Sequence, residues 1–263
     1  MAAVLETRGL TVDFGGLRAL DGVDISVPRG GLVGLIGSNG AGKTTFIDAV
    51  TGFVPASGSV LLDGEELGRR APHQRARRGL VRTWQATELF DDLTVAENLQ
   101  VAAERHRVVH LFGDLLRPRP RAGGAEAERA LELLGIEHLA ERMPGELSHG
   151  QRKLAGVARS LATEPRLLCL DEPAAGLDPA ECRQLGERLR RVVESGVTIL
   201  LVDHDMGLVL SLCDEVHVVE FGRLIAHGTP AEIRADEKVI ASYLGTRSSS
   251  GSGGDPKKEE GVR

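Results

Sequence analysis

Aromatic residues are scarce in this chain of 263 residues: one Trp, one Tyr and six Phe. Aliphatic side chains must therefore fill the core, and at 41% hydrophobic residues they suffice for one large domain or a core with a smaller subdomain. Cysteine is almost as rare. Cys169, Cys182 and Cys213 are odd in number and form no CxxC pair, which fits a reducing cytosol better than a disulfide framework. Basic charge is not in excess either. A net charge of −6 and a pI of about 5.8 argue against a dedicated nucleic-acid binder. Long apolar runs are absent: Val197–Val202, with one Thr inside it, falls far short of the ~20 residues that cross a bilayer. Met1–Leu10 lacks the basic-then-apolar pattern of a secretory leader. Any role at a membrane is expected to need a partner.

Local patterns then divide the chain. Val4–Phe14 reads as a strand, and Asp21, Val23, Ile25 and Val27 continue the β pattern. Gly31–Ile36 is a short apolar run entering a glycine-rich loop, and Ala41–Thr51 reads as a helix. Ser59–Leu62 followed by Asp63-Gly64 reads as a hairpin arm. From Leu93 to Ser160 the signals are helical, with Thr94 and Glu97 at capping-box spacing and Leu154, Val157, Ala158 and Leu161 on one helical face. Residues 117–124, with two Pro and two Gly, read as a loop between helices. Apolar Leu167–Leu170, helical Pro179–Val193 and apolar Val197–Val202 predict parallel strands joined by a crossover helix. Ser248–Arg263 has no apolar period and reads as disordered.

Three motifs carry chemistry. Gly37-Ser38-Asn39-Gly40-Ala41-Gly42-Lys43-Thr44 matches GxxxxGK[ST] between a strand and a helix. Backbone N–H groups of such a loop converge on phosphate oxygens, Lys43 reaches the β- and γ-phosphates, and Thr44 can ligate Mg²⁺. Arg166–Glu172 is an apolar strand ending in two carboxylates, where parallel sheets bind ligands. Asp171 can hold Mg²⁺ through water, and Glu172 can act as general base on an attacking water. Leu147-Ser148-His149-Gly150-Gln151 opens the amphipathic helix, placing Ser148 and the Gly150 backbone at an anion-binding helix N-terminus. Taken alone, the last is an ordinary Ser cap before a glycine, and an acidic turn after a strand is common.

Together these motifs resemble the ATP-binding subunits of ABC transporters, whose signature is LSGGQ, over roughly residues 4–245. The resemblance implies a P-loop ABC ATPase fold of class α/β. Its parts are an ATP-binding core with an antiparallel β subdomain (residues 4–88 and 162–245), an inserted α-helical signature subdomain (89–161) and a disordered tail (246–263). It also implies site residues. Phe14 stands where the family has its adenine-stacking aromatic, usually Tyr, and Gln85 matches the Q-loop glutamine, a further ligand for Mg²⁺. Ala175–Asp178 matches the D-loop and His204 the switch histidine. Gly37–Thr45 would bind ATP in one chain, while Ser148, Gly150, Gln151 and Asp178 would meet the ATP of a facing chain. Lys43, Gln85, Glu172 and His204 would form the catalytic group. Read singly, Phe14 could be a core aromatic, Gln85 a surface amide and His204 a helix cap, and Trp84 reads as packing. His149 departs from the commonest signature, which has Gly there.

The C-terminal run from Val202 through Gly222–Pro230 to Tyr243-Leu244-Gly245 resembles the branched-chain amino acid importer ATPases, which carry an extra stretch where His106–Gly124 stands. The implied partners are a second ATPase subunit, identical or not, transmembrane permease subunits (approached by Glu88–Asp92) and, indirectly, a substrate-binding protein, without nucleic acid. The implied location is cytoplasmic, on the inner face of the membrane. The rival expectations are a lipopolysaccharide-export ATPase and a soluble ABC ATPase of DNA repair or ribosomes. Members of the latter class usually carry two cassettes or a long insertion.

Overall fold

The computed structural model describes residues 2–83, 89–104 and 124–247. Its first sheet is antiparallel and centred on β1 (Ala3–Phe14), which pairs with β2 (Leu17–Val23), β3 (Ser26–Pro28) and β5 (Ser57–Leu62). The expected β pattern over Asp21–Val27 breaks into two strands at Asp24-Ile25, and both pair with β1, at Leu10↔Val23 and Glu6↔Ser26. β5 turns through Asp63-Gly64 into β6 (Glu65–Glu66), as the hairpin reading required. Both turn residues have positive φ, 52° and 77°, the backbone of a tight hairpin turn that Asp and Gly tolerate.

The second sheet runs β11-β10-β4-β9-β8-β7, from β4 (Leu32–Ile36), β7 (Leu80–Arg82), β8 (Leu167–Asp171), β9 (Thr198–Val202), β10 (Glu215–Glu220) and β11 (Arg223–Gly228). All pairs are parallel except β10–β11. Every residue of β4, β8 and β9 is buried, which is why these strands read as unbroken apolar runs rather than as alternation. The register aligns Leu35 with Val202 and Val202 with Asp171. The carboxyl ends of β4, β9 and β8 therefore lie side by side, and the loops leaving them converge. Cys169 sits fully buried in β8 as a small hydrophobe, its thiol pushed up to about 12 by burial.

The helices are α1 (Lys43–Thr51), α2 (Pro72–Ala76), α3 (Val95–Ala103), α4 (Gly124–Leu134), α5 (His149–Leu161), α6 (Pro179–Glu194), α7 (Met206–Leu212), α8 (Pro230–Ala235) and α9 (Glu237–Arg247). α6 is the expected crossover between β8 and β9. α3, α4 and α5 pack on one another through Leu99, Leu131, Leu134 and Ala158. Thr94 caps α3 as expected, accepting from Glu97 N at 3.2 Å while the Glu97 carboxylate accepts from Thr94 N at 3.0 Å.

Three boundaries differ from the sequence reading. α1 begins at Lys43 rather than Ala41, because Gly42 before it is left-handed. Gly124, read as loop, opens α4. α9 continues through Arg247, two residues into the stretch 246–263 assigned to a disordered tail. Residues 248–263, and the extra stretch 106–124 except for Gly124, lie outside the described residues. Among the described residues no helix is long and apolar enough to cross a membrane.

Candidate nucleotide site

Gly37–Thr44 joins the carboxyl end of β4 to the N-terminus of α1. Gly42 needs to be glycine twice over. Its φ is 106°, and a Cβ there would stand 2.8 Å from Ala19 O and 2.9 Å from Leu20 Cδ2. Lys43 is buried, and its Nζ donates to Gly37 O at 2.8 Å and Ser38 O at 3.0 Å. Burial pushes this ammonium below its ordinary value, opposed by the negative charges of Glu172, Asp203 and Asp171. A cavity of about 400 Å³ opens here. It is lined by Asn39, Gly40, Gly42, Lys43, Thr44 and Thr45 of the loop and helix start, by Glu172, and by Leu17, Arg18, Ala19, Phe221 and Gly222 of the two hairpins. Ala41 is buried beneath, its carbonyl accepting from Gly222 N at 2.9 Å.

The neighbouring strand ends supply acids. Asp171 ends β8 and is 3% exposed; Arg82 Nη2 donates to its Oδ2 at 2.8 Å, while its Oδ1 is buried without a partner. Burial pushes this carboxyl up, and Arg82 opposes the shift. Glu172 follows with a left-handed backbone, φ 47°, held by its N–H donating to Val202 O at 2.8 Å. Its carboxylate lies 3.4 Å from His204 Nδ1. Asp203 directly follows β9, and its Oδ1 accepts from the backbone of His204 and Asp205 at 2.8 and 3.0 Å. An unpartnered, buried carboxylate oxygen at Asp171, with the hydroxyl-bearing Thr44 among the residues lining the cavity, is hard-oxygen chemistry that fits Mg²⁺. Among the described residues no group of three or more His, Cys, Asp or Glu could enclose a metal. The pattern suits an ion that shares its ligands with substrate phosphates.

The signature residues form a second cluster. Ser148 caps α5, its Oγ accepting from Gln151 N at 3.2 Å while the Gln151 amide oxygen accepts from Ser148 N at 2.9 Å. Gly150 lies against α6, where a Cβ would stand 2.7 Å from Glu181 Oε1. Asp178 caps α6, accepting from Ala180 N and Glu181 N at 2.7 and 2.8 Å. His149 Nε2 lies 3.4 Å from Ala175 O, so the departure from the usual signature touches the D-loop. Ser148, Gly150 and Gln151 line their own cavity with Leu177 and Glu181, away from the one at Lys43.

The structure thus brings Gly37–Thr45, Asp171, Glu172 and His204 together and keeps Ser148, Gly150, Gln151 and Asp178 apart from them. Phe14 ends β1, half exposed, and is not among the residues lining the phosphate-loop cavity; its cross-strand neighbour Leu17 is. Gln85 and Trp84 lie outside the described residues. Three further groups escaped the motif reading. Arg82 pairs with Asp171 and Asp48, and Asp203 is a buried acid facing the Lys43 charge. Lys153, one turn into α5, donates to Glu172 O at 3.3 Å. A cation inside an amphipathic helix and an acid beside a histidine were the only signals available.

A family model described as ABC transporter matches residues 20–175, and one described as branched-chain amino acid ATP-binding cassette transporter matches residues 223–248. The high-affinity branched-chain amino acid transport ATP-binding protein BraF of Pseudomonas aeruginosa is 43% identical over 249 residues, covering 92% of this chain and 98% of that one. LivG of Escherichia coli K12, of the same description, is 41% identical with the same coverage. The lipopolysaccharide export system ATP-binding protein LptB of Escherichia coli K12 is 36% identical over 244 residues, again covering 92% and 98%. An ATP-binding cassette of an ABC transporter, crystallised in its ADP conformation, superposes with a TM-score of 0.82 at 33% identity, covering 93% of this chain and 100% of that one. With the phosphate loop, the paired strand-end acids and the signature helix in the order this fold requires, the chain belongs to the ABC transporter family of ATP-binding proteins.

Proposed function

We propose that this chain is the ATP-hydrolysing subunit of an ABC importer for branched-chain amino acids or related small polar solutes, acting as one of two cassettes that clamp ATP between them. The observation that carries the paired mechanism is the separation of the two clusters: Lys43 and Glu172 line one cavity, Ser148 and Gly150 another. A second cassette, turned head to tail, would place its Ser148 hydroxyl and α5 N-terminus over ATP held on the first chain's loop. The similarity to BraF and LivG supports the substrate class, and the match at residues 223–248 favours it over lipopolysaccharide export.

In this reading Lys43 exchanges its two loop carbonyls for β- and γ-phosphate oxygens. Thr44, Asp171 and Gln85 would hold Mg²⁺, which supplies neutralisation of phosphate charge. Phosphoryl transfer here needs positioning and charge more than covalent chemistry. Glu172 orients a water in line with the γ-phosphate and accepts its proton. His204, 3.4 Å from that carboxylate, keeps Glu172 in place and hydrogen-bonds the γ-phosphate. Lys153 fixes the Glu172 carbonyl from α5, so the signature helix and the base move as one.

Residues 4–88 and 162–245 would act as the ATP-binding core and 89–161 as the signature subdomain, with Glu88–Asp92 toward the permease. Asn98 is suited to stiffening that contact, since its side chain accepts from Phe90 N and donates to Phe90, Leu93 and Thr94 carbonyls. The subunit would sit on the cytoplasmic face of the membrane through the permease, fed by a substrate-binding protein, with no nucleic-acid partner. Replacing the native copy by Glu172→Gln and measuring uptake of labelled leucine, isoleucine, valine and short amides tests the reading. Loss of uptake of at least one solute is expected. Unchanged uptake of all of them would contradict it.

A further inference from the structure

Phe221 is the most exposed large hydrophobic residue among those described, at 84%. It sits at the tip of the β10–β11 hairpin with φ 45°, followed by Gly222 at 75°. Two positive φ values make this the hairpin turn in which Asn, Asp or Gly is favoured at the first position. A bulky aromatic there is disfavoured by its backbone and gains nothing from burial. The tip is nonetheless held firmly. Gly222 N donates to Ala41 O and Asp21 N to Gly222 O, both at 2.9 Å. Asp21 also receives Arg223 Nη2 at 2.6 Å and Arg18 Nη1 at 3.0 Å. The turn therefore holds Phe221 at the phosphate-loop cavity, which it lines together with Leu17 and Arg18. Phe14 does not line that cavity.

We infer that Phe221 is a base-contacting residue of this cavity, its ring packing on the purine of a nucleotide whose phosphates lie on Lys43. The inference rests on the ATP-binding reading above and adds a specificity residue to it. A flat aromatic face needs little ordering to receive a base, and its cost is already met in the backbone of the turn. The competing occupant is the surface of the facing cassette.

Phe221→Asn removes the ring while retaining a residue that accepts positive φ, so the turn is kept. Calorimetric titration of wild-type, Phe221→Asn and Phe221→Trp with Mg·ATP and with Mg·tripolyphosphate separates base from phosphate. The expected result is about tenfold weaker ATP binding in Phe221→Asn, unchanged tripolyphosphate binding, and ATP affinity retained in Phe221→Trp. Three results would overturn the inference: unchanged ATP affinity in Phe221→Asn, an equal loss for tripolyphosphate, or a defect confined to ATP-driven pairing. Failure of the wild-type chain to bind ATP would remove the nucleotide reading as well, whereas normal wild-type binding with an unaffected Phe221→Asn removes this inference alone.

Discussion

Arg82 Nη2 lies 2.8 Å from Asp171 Oδ2, and the same guanidinium pairs with Asp48 on α1. The strand that leads into residues 84–88 is thereby tied both to the acid at the end of β8 and to the helix that follows the phosphate loop. Arg82 and Asp171 side chains are 6% and 2% exposed. Breaking a buried pair leaves an uncompensated charge, which costs about 3–5 kcal/mol. Arg82→Met should lose stability of that order in urea unfolding at pH 7. A loss under about 1 kcal/mol, the range of a surface pair, would contradict the link.

Lys43→Ala removes the one buried cation of the phosphate loop. By comparison with loss of a single electrostatic donor at a charged transition state, ATP turnover should fall about 10²–10³-fold. Steady-state phosphate release measures this, and near wild-type turnover would refute the assigned role.

Glu172→Gln keeps shape and hydrogen bonding but not basicity. It should bind Mg·ATP as wild type does while phosphate release becomes barely measurable. Equilibrium binding alongside single-turnover kinetics separates the two effects. A variant that hydrolyses normally would move the base elsewhere.

The buried imidazole of His217 contributes a pH dependence. Burial pushes its pKa down to about 4 from 6.5; its Nε2 lies 3.2 Å from Ser26 O, and its ring stacks on His227, 5.8 Å between centroids. Glu6 and Asp24 line the same cavity. Below pH 6.5 the unfolded chain binds a proton that the folded chain refuses. The stability linked to the neutral ring is thus full above that pH and is lost as pH falls toward 4. Between pH 7.5 and 5 the loss should be about 2 kcal/mol. His217→Gln should flatten this part of the profile, and parallel profiles for the two proteins would contradict the assignment.

Much of this molecule is legible in its sequence, for identifiable reasons. Leu167–Leu170 and Val197–Val202 read as buried parallel strands because both faces of such a strand are covered. Gly37–Thr44 reads as a phosphate loop because glycine positions and a terminal Lys-Thr serve one geometry. Arg82 and Lys153 gave no such signal, since what they do depends on Asp171 and Glu172 being brought to them by the sheet. Phe14 matches the family position, yet the cavity lining includes Leu17 and Phe221 instead. The latter lies on a hairpin roughly two hundred residues away, a neighbour that only tertiary pairing supplies. α1 starts late because the left-handed Gly42 interrupts a pattern that otherwise reads as helix.

The proposed arrangement is a pair of ATP-clamping cassettes, one of them this chain, beneath a permease. Its most direct test is co-purification of tagged Glu172→Gln from native membranes in mild detergent with ATP and Mg²⁺. The expected companions are a second cassette, identical or not, and multi-spanning membrane proteins. Recovery with ribosomes or DNA-repair proteins, and with no membrane protein, would contradict it.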